Sequence, residues 1–281
     1  MGGYSVIRFN YNGNRYPNAV DMSKDMKPLT SVLVNYTEDA EIACANAAAL
    51  CYDSRVSHAY GLNKVGKKVL EHCMESGHNT VLEHGVATFV KKVPIFVARQ
   101  DLRSRIASFD ERSLRYCRAS DGTLEYYIPD YLSIEHITAI GESGDYDQAN
   151  ILIEMRKNWI ETHEKVIWLY SDYTDEEVTE RIGVGGERLR ETMRAMLPLG
   201  ISTVYMDTRN IWSWIHHSKK RLCLRAQEEI RKIREQEVDQ LTAVYPNIFS
   251  KVGRPCRMNG CEESTPCGLV KLDSNRKERR E

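Results

Sequence analysis

Several features that would place this chain in a familiar class are absent from it. No apolar run approaches the roughly 18 residues that suggest a membrane span. The first residues, MGGYSVIRFNYNGNRYP, lack the basic and then apolar regions of a secretory signal. Eight cysteines in 281 residues are too few for a disulfide scaffold. These absences predict a reduced, cytoplasmic protein with no membrane partner.

Charge and glycine spacing exclude two further classes. The formal net charge is only −1, and the arginines are interleaved with acids, which argues against a nucleic-acid partner. No phosphate-binding glycine loop follows a predicted strand, because Gly183, Gly185 and Gly186 are too close together for a dinucleotide fingerprint. A site for an anion must therefore come from local clustering of charge.

Two groups of residues resemble metal ligands only weakly. His78, Glu83 and His84 have a spacing that fits no zinc pattern, so we prefer a histidine that packs internally or contacts a substrate. Near the C terminus the spacing is Cys256-x4-Cys261-x5-Cys267, without a CxxC pair. Free thiols are the preferred interpretation of these cysteines, and zinc is the alternative. The prediction for bound metal is therefore none.

Hydrophobic periodicity predicts a mixture of helices and strands. Residues 1–31 show no clear period and are interpreted as an extension or an irregular first strand. The predicted helices cover 37–52 with Thr37 as N-cap, 62–78 with Gly77 near its end, and 95–109 after Pro94. The predicted strands cover 84–93 and 124–132. We interpret 130–150 as loop, and both 151–197 and 201–245 as helical blocks.

The densest cluster of arginine lies in residues 99–118. Six arginines occur there with only three acids: Arg99, Arg103, Arg105, Arg112, Arg115 and Arg118. A helix would place Arg99 and Arg103 on one face, which is unfavourable unless an anion lies between them. Guanidinium groups bind phosphate through two parallel hydrogen bonds, and Ser108 and Ser113 are candidates to complete such a site. The alternative is a solvated helix face with internal salt bridges.

A second basic cluster lies far along the chain. It consists of Arg194, Asn210, His216, His217, Arg221 and Arg225. Arg221 and Arg225 are predicted to share a helical face. The alternative is a basic surface helix, although Trp212 and Trp214 argue against full exposure.

Residues 103–116 read RSRIASFDERSLRY. This stretch resembles the RHRxxSxNExSxRY signature of the flavin-dependent thymidylate synthases. The segments SGHNTVLEH, PIFVARQ, EYYIP, MLPL and RLCLRAQEEIR also match that family in order. The resemblance covers residues 32–250, leaving 1–31 as an N-terminal extension and 251–281 as a Cys-containing tail.

The resemblance implies a fold and a reaction. The fold is α+β: a twisted, mainly antiparallel sheet flanked by helices, in a homotetramer with active sites at subunit interfaces. The reaction is reductive methylation of dUMP to dTMP. Methylenetetrahydrofolate supplies the carbon, and NADPH supplies reducing equivalents through FAD.

The family's residue roles transfer to matching positions. Arg221 matches the catalytic arginine that favours ionisation of the uracil ring at N3. The other implied dUMP-binding residues are Gln100, Arg103, Glu111, Arg112, Ser113, Leu114, Arg115 and Arg194. The implied FAD-binding residues are His78, Thr80, Arg103, Ser104, Arg105, Asn210, Trp212 and His216. The family needs no cysteine that attacks the ring, so neither Cys117 nor Cys223 is nominated.

Five positions depart from the family pattern. Ser104 replaces a His, Asp110 an Asn, Trp212 an Arg, His216 an Asn, and Arg225 a His. Four of these changes lie on the flavin and folate side. They leave two alternatives open: a variant that makes a 5-hydroxymethyl pyrimidine nucleotide or acts on dCMP, and a nucleotide-binding paralogue without catalysis.

Overall fold

The centre of the fold is an antiparallel sheet of four strands in the order β1-β2-β4-β3. The strands are β1 (Thr30–Tyr36), β2 (Val86–Pro94), β3 (Ser108–Glu111) and β4 (Ser202–Asn210). This computed structural model describes residues 19–51, 64–117, 124–258, 261 and 263–268. Strands β2 and β4 pair along their full lengths at the centre of the sheet.

Helices flank the sheet, which confirms the predicted α+β class. In chain order the described α-helices are α1 (Ala19–Asp25), α2 (Ala40–Leu50), α3 (Lys64–Glu75), α4 (Ile95–Asp101), α5 (Ile134–Glu142), α6 (Tyr146–Tyr173), α7 (Glu176–Ile182), α8 (Gly186–Met193), α9 (Ile211–Arg221), α10 (Glu228–Val244), α11 (Pro246–Phe249) and α12 (Pro255–Met258). Among the residues that the structure describes, 3₁₀ helices cover Asn79–His84, Asp130–Leu132 and Arg194–Met196. None of the described helices is both long enough and apolar enough to cross a membrane.

Strand β2 is buried on both faces. The prediction of a strand in this region is confirmed. The alternation of residue types along the strand, however, does not correspond to one buried face and one exposed face. Every residue from Ala87 to Pro94 is buried. Phe89 packs against Trp214 in the main core, whereas Val90 points to the opposite face and packs with Met22.

The predicted helices 37–52 and 62–78 exist, but the first begins later than expected. Thr37 is not its N-cap, because the Thr37 hydroxyl accepts a hydrogen bond from the backbone N–H of Val86 at 3.1 Å. Helix α2 begins at Ala40 and buries small alanine side chains against α3. Gly77, with φ of 72°, adopts the left-handed conformation just after α3, where glycine is favoured.

The prediction of one helix over 95–109 is wrong beyond residue 101. Helix α4 begins after Pro94 as predicted but ends at Asp101, whose carbonyl accepts from the backbone N–H of Ser104 at 2.9 Å. Ile106 then takes a left-handed φ of 61°, which turns the chain into β3. Pairing of Ser108–Glu111 with β4 therefore replaces further helix.

Three other predictions for the second half of the chain are also wrong. Residues 130–150 are largely helical, because Ser133 and Asp145 accept capping hydrogen bonds at the starts of α5 and α6. The predicted strand over 124–132 contributes only one β-bridge, between Tyr126 and Ile201. The block 201–245 begins with strand β4 rather than with helix.

Candidate functional site

Two stretches that lie 121 residues apart in sequence meet where α4 and α9 end. Nη2 of Arg221, the last residue of α9, donates a hydrogen bond of 2.9 Å to the backbone carbonyl of Gln100. The Gln100 side chain donates in turn to the side-chain oxygen of Gln227. The structure therefore brings together the predicted catalytic arginine and one predicted dUMP ligand.

Arg221 is a partly buried cation in a strongly charged environment. Burial lowers the pKa of Arg221, the nearby carboxylate of Asp101 raises it, and the charges of Arg234 and Arg209 lower it. An arginine pKa starts so high that the guanidinium remains charged at neutral pH. Among the described residues, only the Gln100 carbonyl accepts a hydrogen bond from this guanidinium. Most of its donors therefore remain available to a ligand.

Arg103 and Arg105 lie on a loop that is fixed through its backbone. Both side chains are exposed, and neither forms an ion pair with another described residue. The Arg105 carbonyl accepts a hydrogen bond of 3.2 Å from Nε2 of His217 on α9. Burial and the charge of Arg209 lower the pKa of His217 to about 4, so the ring is neutral at pH 7. Ser104 is half-buried between the two arginines.

The N-terminal part of α9 carries three of the predicted flavin-binding residues. Asn210 caps the helix, because its Oδ1 accepts from the backbone N–H of Ser213 at 2.8 Å. The rings of Trp212 and His216 are one turn apart, with centroids separated by 5.8 Å. Helix α9 also packs against the 3₁₀ helix Asn79–His84, which carries Thr80.

His78 lies immediately before that 3₁₀ helix. Its ring is exposed and meets the ring of His72 edge-on, with centroids 6.1 Å apart. Thr80 is exposed as well. The structure therefore places Thr80 on an element that contacts α9, and His78 beside it.

The segment after β3 carries four of the predicted dUMP ligands, Arg112 to Arg115, which have hydrogen-bond or ion-pair partners within the chain. Nη2 of Arg115 lies 2.7 Å from a carboxylate oxygen of Glu187 on α8. The carbonyl of Leu114 accepts from the Tyr170 hydroxyl at 3.1 Å. Burial raises the pKa of Tyr170, and the positive charge of Arg194 opposes the rise, so Arg194 lies on the same side of the molecule. Leu114, Arg115 and Arg194 thus form a second group around Tyr170 and α8.

Glu111, Arg112 and Ser113 connect this segment to the sheet. Glu111 accepts a hydrogen bond of 2.9 Å from the Thr203 hydroxyl, and Nη2 of Arg112 donates at 2.8 Å to the Ser23 hydroxyl. The Ser113 hydroxyl accepts from the backbone N–H of Arg115 at 3.3 Å. These contacts hold the segment against the sheet, and the one guanidinium among them, that of Arg112, is half-buried.

Two predictions about shared helix faces are wrong. Arg103 does not share a face with Arg99, because α4 ends at Asp101. Arg225 does not share a face with Arg221, because α9 ends at Arg221. Arg118 lies outside the described residues.

The largest group of predicted arginines lies away from the cavity at the end of α9. A cavity of about 270 Å³ lies beside the end of α9, and its lining includes His216 and Arg225. None of Arg103, Arg115, Arg194 and Arg221 is among its described lining residues.

A buried ionic network that the sequence patterns did not predict lies in the interior, next to the contact between Arg221 and Gln100. It contains three cations and three carboxylates, all without exposed side-chain surface: Lys91, Arg209, Arg234, Asp101, Asp207 and Glu237. The Trp214 ring lies 4.8 to 5.2 Å from the three cationic groups. Each of the six groups pairs with at least one group of opposite charge, which offsets the cost of burying these charges.

Asp101 is the hub of the network and the residue next to Gln100. Its carboxylate accepts from Lys91 at 2.5 Å and from Arg209 and Arg234 at 2.9 Å each. Burial by itself would raise the pKa of Asp101, but the three cations outweigh that effect and hold the pKa well below its usual value. The last turn of α4, which presents Gln100 to Arg221, is therefore anchored in the core.

Comparison with known proteins adds independent information. Residues 32–247 match the family model described as thymidylate synthase complementing protein. The flavin-dependent thymidylate synthase of Clostridium tetani is 28% identical over 243 residues, covering 84% of this chain and 92% of that protein. That of Thermosipho africanus is 34% identical over 184 residues, covering 64% and 74%. That of Geobacter sulfurreducens is 28% identical over 247 residues, covering 84% and 92%.

Proposed function

Because the family model matches most of its length, this chain belongs to the thymidylate synthase complementing protein family, and we propose that it is a flavin-dependent thymidylate synthase. The proposed reaction is the reductive methylation of dUMP to dTMP. Methylenetetrahydrofolate donates the carbon, and NADPH supplies reducing equivalents through FAD. The observation that carries the proposal is the contact between Arg221 and Gln100, which joins two predicted substrate residues from distant parts of the chain.

In the proposed mechanism Arg221 acts as a fixed positive charge beside the uracil ring. Loss of the N3 proton places negative charge on the ring, and a guanidinium already in position stabilises that charge more than it stabilises the neutral ring. The electron density at C5 then rises, so C5 becomes the nucleophile that receives the carbon. No cysteine of the enzyme has to attack the ring.

The predicted flavin-side residues fit a dinucleotide cofactor in charge and shape. The exposed guanidiniums of Arg103 and Arg105 suit a diphosphate, and the adjacent rings of Trp212 and His216 suit a flat ring system. His78, Thr80, Ser104 and Asn210 complete the proposed FAD site. When bound, FAD supplies the redox chemistry, while the protein positions the reactants and excludes water.

We further propose that a second copy of the chain completes each active site in a homotetramer. Arg115 and Arg194 border α8, whereas Arg221 contacts the end of α4, so the two groups lie on different elements of one chain. A subunit contact would let both groups reach one nucleotide. In this arrangement Arg115 would exchange its pairing with Glu187 for the nucleotide phosphate.

Tritium release from dUMP labelled at C5 tests the activity. The purified chain is given FAD, methylenetetrahydrofolate and NADPH, and the nucleotide product is identified by mass spectrometry. The proposal predicts bound flavin, tritium release and dTMP. A protein that stays colourless with FAD and releases no tritium would refute it. A hydroxymethylated product, or turnover of dCMP alone, would identify the variant reaction instead.

A matched pair of variants tests the role of Arg221. Arg221→Gln removes the charge and should lower kcat/KM by about 10²- to 10³-fold, the usual cost of losing one preorganised electrostatic group. The control is Arg181→Gln on α7, where the same exchange is made at an exposed position outside the proposed site. Activity of Arg221→Gln within about threefold of wild type would exclude this role for Arg221.

A further inference from the structure

Four of the eight cysteines line the cavity of about 270 Å³ beside the end of α9. They are Cys223, Cys256, Cys261 and Cys267. The other four lie elsewhere, two in the core and two in other parts of the chain: Cys44, Cys73, Cys51 and Cys117. The proposed reaction uses none of these thiols. Their shared position around one cavity therefore calls for a separate explanation.

The four thiols come from separate points on the chain. Cys223 follows the end of α9, Cys256 lies in α12, and the other two lie in the C-terminal segment. The spacing Cys256-x4-Cys261 falls within the range seen between paired ligands of structural zinc sites. Gly268, next to Cys267, has a left-handed φ of 80°, which turns the chain at the last of the four cysteines.

Cations outnumber anions among the described residues that line the cavity. Lys219, Lys220 and Arg225 line it, and Glu263 is the one carboxylate among its described lining residues. Glu263 is already paired with Arg225 at 3.7 Å. These cations would balance the net charge of −2 that four thiolates and one divalent cation carry together.

The C-terminal segment has little else to hold it in place. None of its described residues at 261 and 263–268 is buried. Its described polar contacts are those of Arg225, which donates to the Thr265 carbonyl at 2.5 Å and pairs with Glu263. A segment without its own apolar core is commonly held by a metal or a covalent cross-link.

We propose that Cys223, Cys256, Cys261 and Cys267 bind one structural zinc ion as four thiolates and so fasten the C-terminal segment against α9. Binding of Zn²⁺ releases four thiol protons and forms four Zn–S bonds, with no change of oxidation state. Among the described residues no three potential ligands are close enough to share an ion. Metal binding therefore draws the sulfurs together, as coupled folding and binding does in other zinc sites. This inference does not depend on the proposed enzymatic function.

Metal analysis of the full-length wild-type chain tests the site directly. The protein is prepared under reducing conditions, freed of metal by chelation, reconstituted with zinc and desalted. About one zinc ion per chain is expected. Replacement of zinc by Co²⁺ should give sulfur-to-cobalt charge-transfer absorption and the visible bands of a tetrahedral thiolate complex. Less than about 0.2 zinc per chain, or iron together with acid-labile sulfide, overturns the assignment.

Cysteine variants identify the ligands. Cys223→Ser, Cys256→Ser, Cys261→Ser and Cys267→Ser should each lose the tightly held zinc, whereas Cys51→Ser, an exposed cysteine outside the cavity, should retain it. Zinc retained by all four ligand variants contradicts the proposal. If a variant fails to fold, as judged by circular dichroism, the cobalt spectrum of the wild-type chain decides the question.

Discussion

Replacing Asp101 by asparagine would test whether the buried ionic network stabilises the fold beneath the site. The amide has nearly the shape of the carboxylate but no charge. It would leave Lys91, Arg209 and Arg234 facing only two carboxylates in a region without solvent exposure. In wild type the two carboxylate oxygens of Asp101 together accept hydrogen bonds from all three cations and from the Tyr205 hydroxyl. The NH₂ group of asparagine is itself a donor, so it would face donors that it cannot satisfy.

The expected cost follows from the geometry. Removing one partner from a buried, hydrogen-bonded ion pair typically costs about 3 to 5 kcal/mol, because an uncompensated charge stays in the interior. Asp101 pairs with three cations, so we expect Asp101→Asn to lie within or above that range. A domain has a total stability of about 5 to 15 kcal/mol, so the variant should be close to unfolding at 37 °C.

Equilibrium unfolding in urea, at one fixed protein concentration, measures this effect. Circular dichroism follows the helices, and tryptophan fluorescence reports the network because Trp214 contacts its cations. Asp110→Asn, at an exposed residue of β3, is the control and should change stability by less than about 0.5 kcal/mol. A loss below about 1 kcal/mol for Asp101→Asn, with an unchanged denaturant slope, would refute the reasoning.

A double variant would separate loss of charge balance from loss of shape. Lys91→Met added to Asp101→Asn restores equal numbers of cations and anions in the network. The double variant should therefore be more stable than the sum of the two single effects predicts, by about 0.5 to 3 kcal/mol. Strict additivity would show that charge imbalance is not the cause.

Three further predictions follow from the described geometry. The pKa of Asp101 is lower in the folded state than in the unfolded state, where it is about 3.9, so the ionised carboxylate should stabilise the fold above that pH. The stabilisation should be lost as the pH falls below about 3.9, and urea midpoints measured from pH 5 to 2 test this. Gly85→Ala should cost about 1 to 3 kcal/mol, because its Cβ would lie 2.5 Å from two neighbouring side-chain atoms, whereas Gly185→Ala meets nothing within 4 Å and serves as control in the same melts. The pKa of His217 is lowered to about 4 in the folded state, so protonation of this ring in the unfolded chain should reduce stability progressively as the pH falls from about 6.5 to 4. The NMR signals of the folded ring should stay constant between about pH 5.5 and 7.5.

Periodicity and turn chemistry in the sequence predicted part of the fold. The strand at β2 and the helix at α3 are confirmed, because long periodic stretches with a clear stop such as Gly77 depend little on distant contacts. The prediction of helix from residue 151 is confirmed for α6, whereas α5 and the start of α6 were wrongly interpreted as loop. Ser133 and Asp145 are ordinary capping residues at the starts of these helices, so the sequence does contain a signal for both.

Strand β4 was missed because no loop separates it from α9. Asn210 is both the last residue of the strand and the N-cap of the helix. Without a turn signal between them, the sequence pattern of the two elements predicts one continuous helix. The end of α4 was missed for another reason. The stretch after Asp101 can continue a helix locally, and only pairing of Ser108–Glu111 with β4 draws it into the sheet.

Candidate site residues come from two arginine-rich clusters and from the resemblance, whereas the buried network was not predicted. The two lysines of the otherwise mostly apolar strand β2 are a local clue. Lys91 is stabilised by Asp101, Asp207 and Glu237, which come from three other elements. Charge pairing over such sequence distances depends on the completed fold. The family signature nominates candidate site residues because it records the outcome of such folding at specific positions.

Asp101 and its neighbours in sequence face different environments, and this contrast has an evolutionary consequence. Asp101 faces the interior and holds its place through charge, while Arg103, Arg105 and Asp110 face outward. If the proposed site is correct, exchanges at these exposed positions would change ligand binding and alter the free energy of folding little. Single substitutions could then lead to new ligands while the buried counter-charges stay unchanged.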